Sequence, residues 1–358
     1  MTVDNIIVGA GISGVILARR LAEEKDEKVL IVDKRNHIGG FCYDFFDSYG
    51  VLIHKYGPHI FRTNNKKVWQ YMSRFTEWLD YQHKVLAYAQ GHLFPIPINL
   101  DTVNSLLGTN YTSETVLDYF EKSRLKLDNI KSVRDVIVSQ IGEYFYNVFF
   151  ENYTKKQWGE NASNLPKEIV SRIPIRTNRD NRYFTVRYQG IPKLGYTKMI
   201  ENILACKNIK ILLNTDYKEI KDKVSYKNLY YSGSIDEFYN YEFGELPYRC
   251  VSFDFETLEK DFYQPVATVN YPNDYDYTRV TEFKHLTGQK IPFTTIAKEY
   301  SSDVGDKSYP IPKKENIELY NKYKQLNSKS NVTFIGRLGQ YKYYSMDQTV
   351  EDILNLEI

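Results

Sequence analysis

Short unbroken apolar runs alternate along the chain with longer stretches in which apolar residues recur every three or four positions. Residues 5–8 (Asn-Ile-Ile-Val) and 28–32 (Lys-Val-Leu-Ile-Val) are runs of the first kind, and residues 12–24 between them carry the helical spacing. Together they predict a βαβ unit. Helical spacing continues over 66–80 and 112–150, where Val133, Val136, Ile137, Ile141 and Phe145 share one stripe, and a short helix is predicted at 195–204. Residues 248–270 and 290–301 read as strands of a second sheet, and the proline-punctuated segment 91–102 reads as a loop. A last strand is predicted just before Gly336-Arg337.

The turn inside the βαβ unit carries Gly9, Gly11 and Gly14 in the G-x-G-x-x-G arrangement, and Asp33 ends the second strand. The first glycine allows the turn, the second admits a pyrophosphate and the third lets helix pack on strand. The phosphates sit at the helix N-terminus, and the carboxylate binds ribose hydroxyls. A basic pair and Gly39-Gly40 follow, and the strand before Gly336 returns at the far end of the chain. That combination is typical of FAD proteins of the glutathione-reductase and amine-oxidase type. The expected fold is α/β: a discontinuous FAD-binding Rossmann-like domain (1–75, 185–235, 325–358), a helical-bundle insert (76–147) and a second, antiparallel-sheet domain (148–184, 236–324). A second dinucleotide motif for NADPH and a redox cysteine pair are both absent, so the sequence offers a flavin site without a visible electron partner.

Charge narrows the ligand classes. The chain has 358 residues, long enough for two or three domains. Its 47 basic and 45 acidic residues form no block, which argues against nucleic acid or a membrane surface as partner. No stretch has the roughly 20 apolar residues of a membrane span. The three cysteines, Cys42, Cys206 and Cys250, have no metal spacing. They fit a reducing compartment, so a cytoplasmic location and no metal are expected. The 32 tyrosines suit either domain seams or a polar-aromatic cleft for a nucleotide or sugar.

Seven motifs then occur in order: Tyr-Gly-Pro-His-Ile-Phe-Arg-Thr-Asn-Asn at 56–65, Tyr-Thr-Lys-Lys-Gln-Trp-Gly at 153–159, 171–176, 181–200, 231–249, 276–285 and 336–348. Over essentially its whole length the chain resembles the bacterial UDP-galactopyranose mutase family. The resemblance implies a reduced FAD whose N5 attacks the anomeric carbon of a nucleotide-diphospho-sugar. The sugar ring opens and recloses through its 4-hydroxyl, and the cofactor leaves unchanged, kept reduced by an external reductant. This is covalent catalysis with the nucleophile supplied by a cofactor.

Residue by residue, it implies that Arg172 and Arg279 hold the diphosphate, where guanidinium suits paired phosphate oxygens. Trp158 lies beside a loop, running to Arg172, that closes over substrate. Phe149 and Tyr153 stack on the base, and Tyr183, Tyr309 and Tyr343 donate to the phosphates. Asn270 and Gln82 lie near the phosphates or sugar. His59 faces the flavin and Arg337 lies near the flavin and pyrophosphate. Ile12, Ser13, Lys34 and Met346 join Gly9, Gly11, Gly14, Asp33, Gly39 and Gly40 as cofactor contacts. A homodimer is implied as well.

Two positions depart from the family pattern: Arg62 stands where a second histidine is usual, and Ser345 where an acid or amide is usual. Either neutral drift or a different sugar, UDP-N-acetylgalactosamine or dTDP-fucopyranose, would account for them. Two other classes share part of the pattern, an FAD oxidoreductase and a nucleotide-sugar-binding flavoprotein without turnover. The first does not explain the paired arginines or the missing electron partner.

Overall fold

The computed structural model describes residues 2–170, 174–327 and 331–358. Strand β1 (Asn5–Val8), helix α1 (Ile12–Glu24) and strand β2 (Val29–Val32) form the opening unit. Next come β3 (Val85–Ala89) and β4 (His92–Ile96), then α2 (Val133–Phe149) and α3 (Glu151–Trp158). The chain returns through α4 (Tyr196–Leu204), β5 (Ile209–Leu212) and β6 (Asn228–Tyr231). Strands β7 (Tyr248–Leu258), β8 (Thr268–Asn270), β9 (Arg279–Glu282), β10 (Thr294–Ser302) and β11 (Lys307–Pro310) follow. The last elements are β12 (Val332–Phe334) and α5 (Met346–Asn355).

Five strands form a parallel sheet in the order β5-β2-β1-β6-β12. Ile6, Ile7, Ile31 and Val32 are fully buried, as an apolar run must be when helices cover both sheet faces. Helices α1 and α4 and the C-terminal α5 cover the face of Ile7 and Ile31 through Val15, Leu17, Met199, Ile200 and Ile353, and Ile220, Tyr217 and Phe238 pack on the face of Ile6 and Val32. Arg20 locks this layer: its guanidinium donates to Ile353 O and Leu356 O, both at 2.7 Å, tying α1 to the last turn of α5.

The second sheet has seven strands, β11-β7-β10-β9-β8-β3-β4. It is antiparallel except for the parallel pair β8·β3. Residues 92–96, expected in a loop within the helical insert, form the outermost strand of this sheet. An edge position tolerates Pro95, because the missing N–H faces no neighbour. The helix expected over 66–80 ends at Met72, and Trp78–Leu79 instead pairs with Ile191 and Pro192. Helix α2 breaks its own geometry at Gly142 and packs its buried stripe, including Val133, Ile137, Ile141 and Phe145, against β3 and β4. Among the described residues no helix is long and apolar enough to cross a membrane, and no His/Cys/Asp/Glu cluster suits a metal.

Candidate functional site

One end of the parallel sheet opens into two joined cavities. The first, about 140 Å³, is lined by Gly9, Gly11, Ile12, Ser13, Asp33, Gly39, Gly40, His59, Arg337 and Met346. The second, about 340 Å³, shares Gly9, Asp33, Arg35, Ser232 and Leu338 with the first and continues past Lys34 and Tyr217 to Lys307. Gly14 lies beneath the turn: a Cβ there would come within 2.0 Å of Gly9 O. Gly11 is open by contrast, its nearest atom Gly40 Cα at 3.8 Å from a built Cβ. That is the division of labour a pyrophosphate-binding turn requires. Asp33 Oδ2 accepts from Ala10 N–H and Oδ1 from Arg35 N–H, both at 2.8 Å. The carboxylate therefore shapes the turn first, and each oxygen keeps a second lone pair for a ribose hydroxyl. An elongated, jointed site with a glycine cradle at its middle fits a dinucleotide. Arg35, Phe41, Ser232 and Thr349 also line it, and these were missed because their motifs carry no fixed glycine spacing.

His59 stands in the first cavity. Its Nδ1–H donates to Gly57 O at 2.8 Å, which leaves Nε2 as an acceptor. Behind it, His54 Nδ1 accepts the His59 backbone N–H at 3.0 Å, and its own Nε2 is buried without a partner among the described residues. Burial, reinforced by the neighbouring His54, lowers His59 to about 3; burial lowers His54 to about 4. Both rings are neutral near pH 7, so His59 brings a hydrogen-bond acceptor and no positive charge.

A third cavity, about 260 Å³, lies between α3 and the seven-stranded sheet, β11 included. It brings together Phe149, Tyr153, Trp158, Tyr183, Asn270, Arg279, Tyr309 and Tyr343, residues spread over nearly two hundred positions. Arg279 and Asn270 are register partners on β9 and β8. Arg279 Nη2 pairs with Glu299 Oε1 at 3.1 Å and donates to Gln157 Oε1 at 3.3 Å. The Glu299 carboxylate and nearby tyrosines hold the guanidinium above its ordinary pKa although burial opposes this. Arg279 Nε and Asn270 Oδ1 are both buried with no partner among the described residues. A buried donor and acceptor left open side by side is costly unless a ligand meets them. Trp158 ends α3 and meets Tyr343 edge-on at 5.8 Å; Tyr343 and Tyr309 are 5.7 Å apart, and Arg337 lies 4.9 Å above the Tyr309 ring. These rings join the third cavity to the first.

Other expected positions fall elsewhere. Arg172 lies outside the described residues. Gln82 is exposed and does not line the cavity; its neighbour His83 is the buried one, 5.5 Å from Tyr183 and 5.9 Å from Phe184 between ring centroids. Burial first, then Arg279 and Arg62, lowers His83 to about 3. Arg62 stacks 4.0 Å above Phe184. Ser345 lines none of the three cavities: it caps the start of α5, its backbone N–H donating to Gln348 Oε1 at 3.0 Å. Arg249, 3% exposed, lines the cavity and was read past inside the 231–249 motif.

Comparison with known proteins adds three findings. A family model described as UDP-galactopyranose mutase matches residues 148–343, and one described as an NAD(P)-binding Rossmann-like domain matches 7–75. The chain is 40% identical over 357 residues to a probable UDP-galactopyranose mutase of Klebsiella pneumoniae, covering 98% of this chain and 92% of that one. It is 36% identical over 362 residues to a dTDP-fucopyranose mutase of Escherichia coli, covering 98% and 96%. The solved structure of a reduced UDP-galactopyranose mutase overlays with a TM-score of 0.79 at 17% identity, covering 99% of this chain and 93% of that one. That overlay is a likeness of fold.

Proposed function

The chain belongs to the UDP-galactopyranose mutase family and is a flavin-dependent pyranose/furanose mutase, an isomerase; on that premise we propose that its flavin is FAD and that it converts UDP-galactopyranose to UDP-galactofuranose. The observation that carries this reading is the open pair Arg279 Nε and Asn270 Oδ1, set among aromatic walls beside a dinucleotide cradle.

A bound, reduced flavin supplies a nucleophile for the anomeric carbon. The chain's own residues bind and orient. Arg279 takes the diphosphate, held in place by Glu299. Tyr183, Tyr309 and Tyr343 donate phenol hydroxyls to phosphate oxygens without adding charge. Phe149 and Tyr153 flank the base, and Asn270 Oδ1 accepts from the ligand. His59 would offer the flavin a neutral acceptor, and Arg337, pinned to Ser308 O and Tyr344 O at 3.2 and 2.8 Å, lines the cofactor cavity and lies over the Tyr309 ring. The aromatic walls exclude water, which strengthens each of these interactions. Arg172 supplies the second cation in this reading, on the strength of the resemblance. The protein acts as a cytoplasmic homodimer in surface polysaccharide synthesis, with an external reductant for the flavin.

The 36% identity to a dTDP-fucopyranose mutase favours a second reading with the same chemistry on a 6-deoxy sugar. Dithionite-reduced, FAD-loaded protein would be offered UDP-galactopyranose, UDP-N-acetylgalactosamine and dTDP-fucopyranose in parallel, with furanose products separated by chromatography. Fastest turnover of UDP-galactopyranose supports the first reading, and turnover of dTDP-fucopyranose alone replaces it with the second.

A further inference from the structure

One short turn lines the cofactor site and is paired to a residue of the substrate cavity. Strands β10 and β11 are joined by residues 303–306. Asp303 forms an ion pair with Arg249, which lines the substrate cavity. Three residues on, Asp306 pairs with Arg35 at 3.3 Å, and Arg35 lines both parts of the cofactor site. Arg35 is otherwise steered by rings, its guanidinium 5.3 Å from Phe41 and 5.7 Å from Tyr56.

Arg249 reaches further. Its Nε donates to Gln157 O at 3.1 Å and its Nη2 to Lys156 O at 3.3 Å. These are among the last carbonyls of α3, the negative end of the helix that carries Trp158. The direction of the Arg249 guanidinium, set by Asp303, therefore fixes how α3 ends at the substrate cavity. On the other side of the turn, Ser308 O accepts from Arg337 and Tyr309 lines the substrate cavity. Both acids are well exposed, 78% for Asp303 and 55% for Asp306. Exposed ion pairs add little to stability, so the consequence of these two lies in where they hold their arginines.

We propose that the 303–306 turn couples the two cavities: Asp303 and Asp306 are positioning residues through which a cofactor that engages Arg35 favours the arrangement of Arg249 and α3 that binds the nucleotide. An anionic cofactor competes with Asp306 for the Arg35 guanidinium. Only Val304 and Gly305 separate the two carboxylates. This rests on the reading of the cavities given above. Linkage makes the coupling reciprocal, so a nucleotide must tighten the hold on the cofactor by the same factor.

The test uses the FAD-loaded full chain. Release of FAD after dilution is followed by flavin fluorescence, with and without saturating UDP, and UDP binding to the same holoenzyme is measured by calorimetry. In the unaltered protein UDP is expected to lower FAD release about fivefold or more. Asp306→Asn and Asp303→Asn are each expected to bring that ratio close to one, and Asp306→Glu to restore it. Glu256→Gln, which breaks an exposed pair with Lys298 elsewhere on the sheet, is expected to leave it intact. A ratio of one in the unaltered protein, or an unchanged ratio in Asp306→Asn, overturns the coupling while UDP binding stands. Failure of the unaltered holoenzyme to bind UDP overturns the reading of the cavity, and the coupling with it.

Discussion

Arg279 and Glu299 are direct register partners on β9 and β10, and their charges meet at 3.1 Å. Glu299 engages Nη2, and Nε is left buried with no partner among the described residues. Glu299 is only 6% exposed, and a buried carboxylate that loses its cation is destabilising by about 3–5 kcal/mol. Arg279→Ala is expected to lower turnover on the order of 100-fold or more and to lower the melting temperature, with bound flavin unchanged. Arg279→Lys keeps the charge without the planar fork, and should recover the melting temperature better than the turnover. Steady-state kinetics beside thermal melts separate the two effects.

The two turn glycines make a paired prediction. A methyl group at Gly14 collides with Gly9 O, whereas at Gly11 it meets only ordinary contact with Gly40. Gly14→Ala should therefore lose both flavin and melting temperature. Gly11→Ala should fold with a near-normal melt in its flavin-free form and purify with much less flavin, because the crowding there falls on the pyrophosphate. The ratio of flavin to protein absorbance reads one effect and a melt of cofactor-stripped samples the other.

Buried neutral histidines set an acid limit. His54, His59 and His83 all have folded pKa values lowered by burial, to about 4, 3 and 3, against an unfolded value near 6.5. Between those limits the unfolded chain binds more protons than the folded one, so stability falls as pH drops below about 6.5 and is retained above it. Each ring contributes a slope approaching roughly 1.4 kcal/mol per pH unit. The melting temperature should hold from pH 8 to 7 and fall steeply between 6 and 4.5, and His83→Gln should flatten that fall. An equal slope in the variant would remove His83 from the account.

Trp158 reports on the third cavity, which it lines and where its ring meets Tyr343 at 5.8 Å. The other tryptophans, Trp69 and Trp78, stack on each other beside α1 and α4. UDP is expected to change the emission of the holoenzyme, and Trp158→Phe to abolish that change while leaving most of the fluorescence. Persistence of the change in the variant would place the nucleotide elsewhere.

The opening βαβ unit was legible because a strand covered on both faces reads as an unbroken apolar run and its turn needs glycine at fixed places. The hairpin at 85–96 was not: Pro95 and Pro97 read as loop, and only the edge position in a seven-stranded sheet makes a proline-bearing strand acceptable. The residues that meet in the third cavity were legible through motif resemblance and not through periodicity, since α3, β8, β9 and β11 each contribute only one or a few side chains. Gln82 illustrates the limit. A shift of one residue in an extended segment turns a side chain to the opposite face, and it is His83 that is buried. Arg249 was overlooked for a related reason. Its partners, Asp303 and the α3 carbonyls, come from segments distant in sequence.

The most direct test of the central claim is stoichiometric. Anaerobic protein with FAD reduced by a known amount of dithionite would be given excess UDP-galactopyranose, with furanose product and flavin absorbance followed together. The account predicts many turnovers of UDP-galactofuranose per flavin while the flavin stays reduced and no further reductant is consumed. Oxidation of one flavin per product, or no UDP-galactofuranose with reduced flavin bound, would contradict it.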